Sequence, residues 1–180
     1  MPTCYVMIGL PATGKSTAIE KMKEKLSERG EDVFVYSTDA ILERKAKHLG
    51  KTYDEVFEKH IKDAKTEADI WLDEAIKHKL DIIWDQTNLG VGKRRKIVNH
   101  MKRAGYQVYC ECIVPPDTSD TDETETWKKR LESRPGKVIP DHVLDNMQES
   151  FVSPTLEEGF DRIGFYNMSG DLLNSVSDNE

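Results

Sequence analysis

In the stretch Gly9-Leu-Pro-Ala-Thr-Gly14-Lys15-Ser16-Thr17, four residues separate Gly9 from the triplet Gly14-Lys15-Ser16. That spacing suits a cradle for phosphate. Glycines let successive backbone N–H groups converge on an anion, a lysine just beyond them reaches the terminal phosphates, and the following hydroxyl can ligate Mg²⁺. The chemistry expected is therefore on a nucleoside triphosphate. Gly9, Thr13, Gly14, Lys15, Ser16 and Thr17 would bind ATP or another NTP, with Mg²⁺ as its counterion.

Three further stretches carry groups such chemistry could use. Asp39 follows Tyr36-Ser37-Thr38. A carboxylate there could take the proton of an attacking hydroxyl, or it could cap the next helix, a task Ser37 or Thr38 could also perform. Asp85 closes the apolar run Ile82-Ile83-Trp84. It could hold Mg²⁺ or orient an acceptor, or simply open a turn. Thr87 and Asn88 add hydrogen-bonding groups beside it. In residues 127–140, Lys128, Lys129, Arg130, Arg134 and Lys137 face a single acid, Glu132. Arg130 and Arg134 project from one helix face, and Pro135-Gly136 then breaks the helix. This reads as a basic lid whose arginines neutralise charge on a transferred phosphoryl group. A solvated helix end with cations matched to its dipole fits the same residues.

These groups need elements to hold them. A strand over 4–8 leads into the loop, and a helix over 15–29 leaves it with Ala18, Ile19, Met22 and Leu26 on one side. Strands follow at 32–37, 80–85, 106–114 and 161–167. A helical stretch over 53–79 has Phe57, Ile61, Ala64, Ala68, Trp71, Ala75 and Ile76 at helical spacing. Further helices are expected at 92–104, 125–133 and 141–150. The alternation predicts an α/β fold, a mostly parallel central sheet flanked by helices, with ligands at the carboxyl ends of the strands. One domain over 1–168 is expected, with a small lid at about 127–140. The polar segment 169–180 is expected to be a frayed tail. Tyr36 and Trp84 lie near the rim, where core packing is the favoured role and base stacking the other.

The chain has 180 residues and a net charge of -7. That balance argues against a protein that coats itself with nucleic acid, yet it permits a local basic site. No apolar run approaches the ~20 residues of a membrane span. The loop starts at residue 9, which leaves no room for a signal peptide. A cytoplasmic or otherwise intracellular, reducing setting is the expectation, with no membrane partner. Cys110 and Cys112 share one face of a strand and are expected to be buried thiols, since no second pair at zinc spacing accompanies them. Residues 91–104 hold Lys93, Arg94, Arg95, Lys96, Lys102 and Arg103 and no acid. The cluster suits contacts to a phosphate backbone, and a solvated helix face is the plainer account.

In order, "GLPATGKST", "YSTDA", "DQTNLGVGKRR", "WKKRLESRPGKVIPDHVL" and "SPTLEEGF" resemble the motifs of the phage-type polynucleotide 5′-kinases, which are P-loop phosphotransferases. The resemblance implies ATP-dependent transfer of the γ-phosphate to the 5′-hydroxyl end of DNA or RNA. It implies Asp39 as general base and Arg130 and Arg134 as lid arginines on the donor. Lys15, Asp39 and Arg134 are then the candidate catalytic residues, and Ser16 and Asp85 the candidate Mg²⁺ ligands. The candidate acceptor residues are Asp39, Asp85, Thr87, Asn88, Arg94 and Arg95. Thr38 and Leu42 stand where the phage enzymes carry arginines, so recognition of an acceptor 3′-phosphate is not implied. Two other readings remain: a P-loop kinase of a small molecule such as a nucleoside, sugar or antibiotic, and a nucleotide-binding switch.

Overall fold

The computed structural model describes residues 1–178 apart from 118 and 135. Six strands form one sheet in the order β2 (Val33–Tyr36), β3 (Asp81–Trp84), β1 (Thr3–Ile8), β4 (Gln107–Ile113), β5 (Arg162–Tyr166), β6 (Leu172–Ser177). The first five are parallel and β6 pairs antiparallel with β5. The chain leaves β1 for β2 on one side and later returns to place β4 on the other. The carboxyl end of β1 is thus the switch point where such sheets bind ligands.

Side chains alternate across β1, and each set meets a different layer. Cys4, Val6 and Ile8 pack with Ala68, Leu72 and Ala75 of α3 (Tyr53–Lys77) and with Ile97, Val98 and Met101 of α4 (Val91–Arg103). Met7 packs on the opposite face with Ile83 and with Ile19 of α1 (Lys15–Glu28). Tyr36 and Trp84 lie in the first of these cores with ring centroids 4.2 Å apart, so the core role holds. Cys110 and Cys112 are fully buried, and burial pushes the Cys112 thiol up to about 12.

Several local expectations shift. α3 runs unbroken for 25 residues behind a capping box made by Thr52 and Glu55. Its buried stripe is Val56, Ala64, Ala68, Leu72 and Ala75, whereas Phe57 and Trp71 are exposed. The stripe lies about one position away from those two aromatics. α2 (Thr38–Leu49) precedes it, and its buried Leu42 and Ala46 pack against Val56 and Ala64. α5 (Thr121–Glu132) starts earlier than 125, because Asp120 accepts from the backbone N–H groups of Asp122 and Glu123. α6 (Asp141–Glu149) follows, and a 3₁₀ turn spans Leu156–Glu158. The segment after Ser169 is not a frayed tail: it supplies β6, paired with β5 from Arg162↔Ser177 to Tyr166↔Leu172. The last two residues of that segment, and the helix-breaking role given to Pro135, lie outside the described residues.

Candidate functional site

The loop between β1 and α1 is built to receive an anion. Gly14 is the N-cap of α1, has φ 108, and makes no side-chain cap. No acid occupies the helix's first turn, so its leading N–H groups and positive dipole end face the cavity. Ala12 also adopts positive φ (61); left-handed residues of this kind curl successive N–H groups into an anion-binding nest. A Cβ at Gly14 would come within 3.2 Å of the Met168 carbonyl oxygen, so only glycine fits there. Thr13 is fully buried and its hydroxyl donates to the Leu10 carbonyl at 2.8 Å. Thr13 therefore shapes the loop rather than presenting its hydroxyl. Gly9 N–H donates to the Thr87 carbonyl at 3.1 Å, which ties the loop to the segment after β3.

Lys15 donates from Nζ to the carbonyls of Gly9 (2.8 Å) and Leu10 (2.7 Å). Burial pushes its ammonium down to about 8, against the opposing pull of the Asp85 and Asp39 carboxylates. A phosphate in the loop would supply the negative charge that restores it. Asp85 stands just beyond β3, and its backbone N–H donates to the Tyr36 carbonyl at 2.9 Å. Burial raises its carboxyl, while Lys15 and a hydrogen bond from Ser37 pull it back. Ser37 is also the N-cap of α2 and accepts from Ala40 N–H. Capping thus falls to Ser37, which leaves Asp39 in the first helical turn with its carboxylate half exposed.

Both Asp39 oxygens have partners. The Tyr53 hydroxyl donates to Oδ1 at 2.8 Å and Lys137 Nζ donates to Oδ2 at 2.6 Å. Burial works to raise the carboxyl, but Lys137, Tyr53 and Arg134 outweigh it and hold the group below its ordinary range. Lys15, Asp39, Asp85, Thr87, Arg130 and Arg134 line one continuous cavity of about 1860 Å³. Arg130 Nη1 donates to the Met168 carbonyl at 3.1 Å, across the mouth of the loop from Gly14. Trp127 anchors the basic helix: its ring is buried, and Nε1 donates to the Pro11 carbonyl at 2.8 Å. Tyr53, Trp127 and Lys137 were not among the sequence candidates. Their partners are far away in sequence, and only Lys137 gave a signal, as one cation of the lid.

Two expected acceptor residues have other work. Arg94 is fully buried and pairs bidentately with Glu158, Nε to Oε2 and Nη2 to Oε1, both at 2.7 Å. Its Nη1 donates to the carbonyls of Leu89 (2.6 Å), Val152 (2.9 Å) and Asn88 (3.2 Å). It cannot reach an acceptor. The same contacts show what "SPTLEEGF" does here: Thr155 and Glu158 form a capping box around the turn that carries the buried carboxylate. Asn88 is also fully buried and donates to the Met7 carbonyl at 2.8 Å, so it braces β1. Arg95 lies on α4 and is exposed, and Lys102 pairs with Asp161 at 3.0 Å. The basic cluster thus presents fewer cations than its sequence promised.

Among the described residues no group of three or more His, Cys, Asp or Glu could hold a metal by itself. Ser16 and Asp85 line the same cavity, and Mg²⁺ usually takes one or two protein ligands and completes its shell with substrate phosphates and water. No helix among those residues is long and apolar enough to cross a membrane.

A mostly parallel sheet with a phosphate loop at its switch point and a basic lid above it defines a P-loop NTPase of the kinase type, a fold that binds ATP-type nucleotides. A family model described as an AAA domain matches residues 5–154, and the chain belongs to that family. It is similar to L-seryl-tRNA(Sec) kinase of Methanococcus maripaludis, 28% identical over 156 residues, which is 87% of this chain and 55% of that protein. The chain therefore spans little more than half the length of that relative. Among solved structures it resembles Kti12 of Chaetomium thermophilum in complex with ADP-AlF3 (21% identity, TM-score 0.56, 86% of this chain and 82% of that one). It also resembles a chain from the PezAT chromosomal toxin–antitoxin system of Streptococcus pneumoniae (18% identity, TM-score 0.58, 99% and 74%). At these identities the two structures bear on the fold alone.

Proposed function

We propose that the chain is an ATP-dependent kinase that phosphorylates the hydroxyl of a small acceptor group, either free or carried on tRNA. The observation that carries this reading is Asp39: a half-exposed carboxylate, kept ionised, in the same cavity as the phosphate loop and the lid arginines. A switch that only binds nucleotide has no use for such a group. In the transfer the acceptor oxygen forms a bond to the γ-phosphorus, the bond from that phosphorus to the β,γ-bridging oxygen breaks, and the hydroxyl proton passes to Asp39. Gly14, Thr17 and the N-terminus of α1 cradle the donor phosphates, while Gly9, whose N–H and carbonyl are taken by Thr87 and Lys15, shapes the loop. Ser16 and Asp85 would hold a Mg²⁺ ion, which would supply charge shielding for those phosphates. Lys15 and Arg134 neutralise the charge that spreads over the phosphoryl oxygens and the leaving group, and Arg130 lies over the donor.

A small hydroxyl acceptor is favoured over a 5′-hydroxyl strand end for two reasons. Arg94 and Lys102 are already paired, which weakens the polyanion track that the strand reading rested on. The tRNA-linked substrate in the relative's name supports an acceptor whose reacting part is a single side-chain hydroxyl. The test is an acceptor panel with γ-labelled ATP: seryl-tRNA, uncharged tRNA, free serine, nucleosides, sugars and a 5′-hydroxyl oligonucleotide. Label on a small hydroxyl acceptor or on seryl-tRNA supports the proposal. Label on the oligonucleotide alone would restore the polynucleotide reading.

A further inference from the structure

Lys137 is a lid residue with an unusual position. Its side chain is only 11% exposed, although the next residue, Val138, is 75% exposed. The lysine points inward while the lid backbone stays at the surface. Its Nζ meets Asp39 Oδ2 at 2.6 Å and Glu43 Oε1 at 3.2 Å, and lies 4.0 Å from the centroid of the Tyr53 ring. An exposed ion pair contributes little. A nearly buried ammonium held by two carboxylates and an aromatic face is a different case, because its partners fix its place and it fixes theirs.

The lid backbone around it is seated on the same wall. Asp54 N–H donates to the Gly136 carbonyl at 3.2 Å, and Val138 N–H donates to Asp54 Oδ2 at 3.0 Å. Gly136 adopts φ +68, and a Cβ on it would meet the Thr52 Cβ at 2.8 Å. A lid segment thus rests on the N-terminal end of α3, next to Tyr53, which holds the other oxygen of Asp39. Asp39 and Lys137 are 98 residues apart in sequence, so it is the lid segment that brings this ammonium to Asp39.

We infer that Lys137 is a positioning residue: by gripping Oδ2 of Asp39 while Tyr53 grips Oδ1, it fixes the carboxylate's orientation only when the lid is down. A carboxylate has about four lone-pair sites over its two oxygens, so two bonds still leave room for an acceptor hydroxyl. Base alignment and lid closure become one event, and an open lid, which exposes the donor to water, also leaves the base unaligned. The inference rests on the proposed kinase reading for its consequence, though not for its geometry. The charged or titratable groups facing Asp39 are Lys137 and Arg134 from the lid, Tyr53 from α3, Glu43 from α2, Lys15 from the loop and Asp85 beyond β3.

The experiment compares Lys137→Met and Lys137→Arg with the unaltered chain. ¹³C NMR titration of the Asp39 carboxyl reads the contact directly, with no need for turnover. Lys137→Met should move the Asp39 midpoint to higher pH, and Lys137→Arg should restore most of it. With an accepted substrate, Lys137→Met should lower kcat roughly 10- to 100-fold, the scale for a misaligned reacting group, with the KM for ATP nearly unchanged and rescue by Lys137→Arg. An unmoved Asp39 midpoint in Lys137→Met would overturn the inference while leaving the kinase standing. If the unaltered chain phosphorylates nothing, the kinase reading fails, and the midpoint still decides whether Lys137 grips Asp39. A moved midpoint with unchanged kcat would remove the positioning role.

Discussion

Glu158→Gln should test the corrected role of Arg94 more sharply than any change at the cavity. The substitution keeps size and shape; it removes one negative charge and turns one of two oxygens that each accept from Arg94 into an NH₂ donor. It leaves a guanidinium that is fully buried and that has three backbone carbonyls as partners but no countercharge. Breaking a buried ion pair by removing one partner costs about 3–5 kcal/mol. That is a large share of the ~5–15 kcal/mol that holds an ordinary domain together. For a chain of this size each kcal/mol is worth ~2–4 °C, so Tm should fall by about 6–20 °C. Urea unfolding followed by tryptophan fluorescence, with the slope m checked for constancy, gives the free energy directly. The double variant Arg94→Met with Glu158→Leu should be less damaged than either single change, because the apolar pair leaves no stranded charge. A loss below about 1 kcal/mol, the scale of a surface pair, would refute the reasoning. So would a defect confined to acceptor binding, which would return Arg94 to the acceptor.

Other outcomes follow from the same contacts. Asp39→Asn should cut turnover by roughly 10²- to 10⁴-fold, the range for losing a general base, with ATP affinity nearly unchanged by titration calorimetry. Lys15→Met should lower kcat by at least about 10²-fold, the scale for losing one preorganised donor to developing charge, while far-UV circular dichroism stays the same. Trp127→Ala should cost about 3–5 kcal/mol as a core deletion and should also weaken nucleotide binding, because the lid helix loses its hydrogen bond to Pro11. Asp39 is held below the ordinary carboxylate range, so the stability it contributes is present above the unfolded-state pKa and is lost as pH falls through the lowered one. The acid limb of kcat/KM should accordingly lie below that ordinary range, and a limb at or above it would contradict the assignment.

What could be read in the sequence was local. The phosphate loop is contiguous, so its spacing carries its geometry, and the apolar runs ending at Tyr36 and Trp84 brought Ser37, Asp39 and Asp85 to one rim. Long-range partners were not legible. The charge of Arg94 is visible in sequence, but the carboxylate that buries it stands 64 residues on, and a basic helix reads the same whether its cations face water or a partner. Trp127 meets Pro11 across 116 residues, and nothing near either residue announces the other. β6 was missed because its ladder to β5 is a backbone matter: Leu172 and Leu173 are exposed, so no period-two apolar signal marks the strand. Phe57 and Trp71 misled because helical spacing alone does not say which of two neighbouring stripes is buried.

Single-turnover transfer from γ-labelled ATP, run on the acceptor panel with the unaltered chain and with Asp39→Asn, tests the central claim most directly. The account predicts label covalently bound to a small hydroxyl acceptor or to the seryl group of seryl-tRNA, and a large loss of that product in Asp39→Asn. Label released only as inorganic phosphate, at the same rate with and without every acceptor and in both proteins, would contradict it.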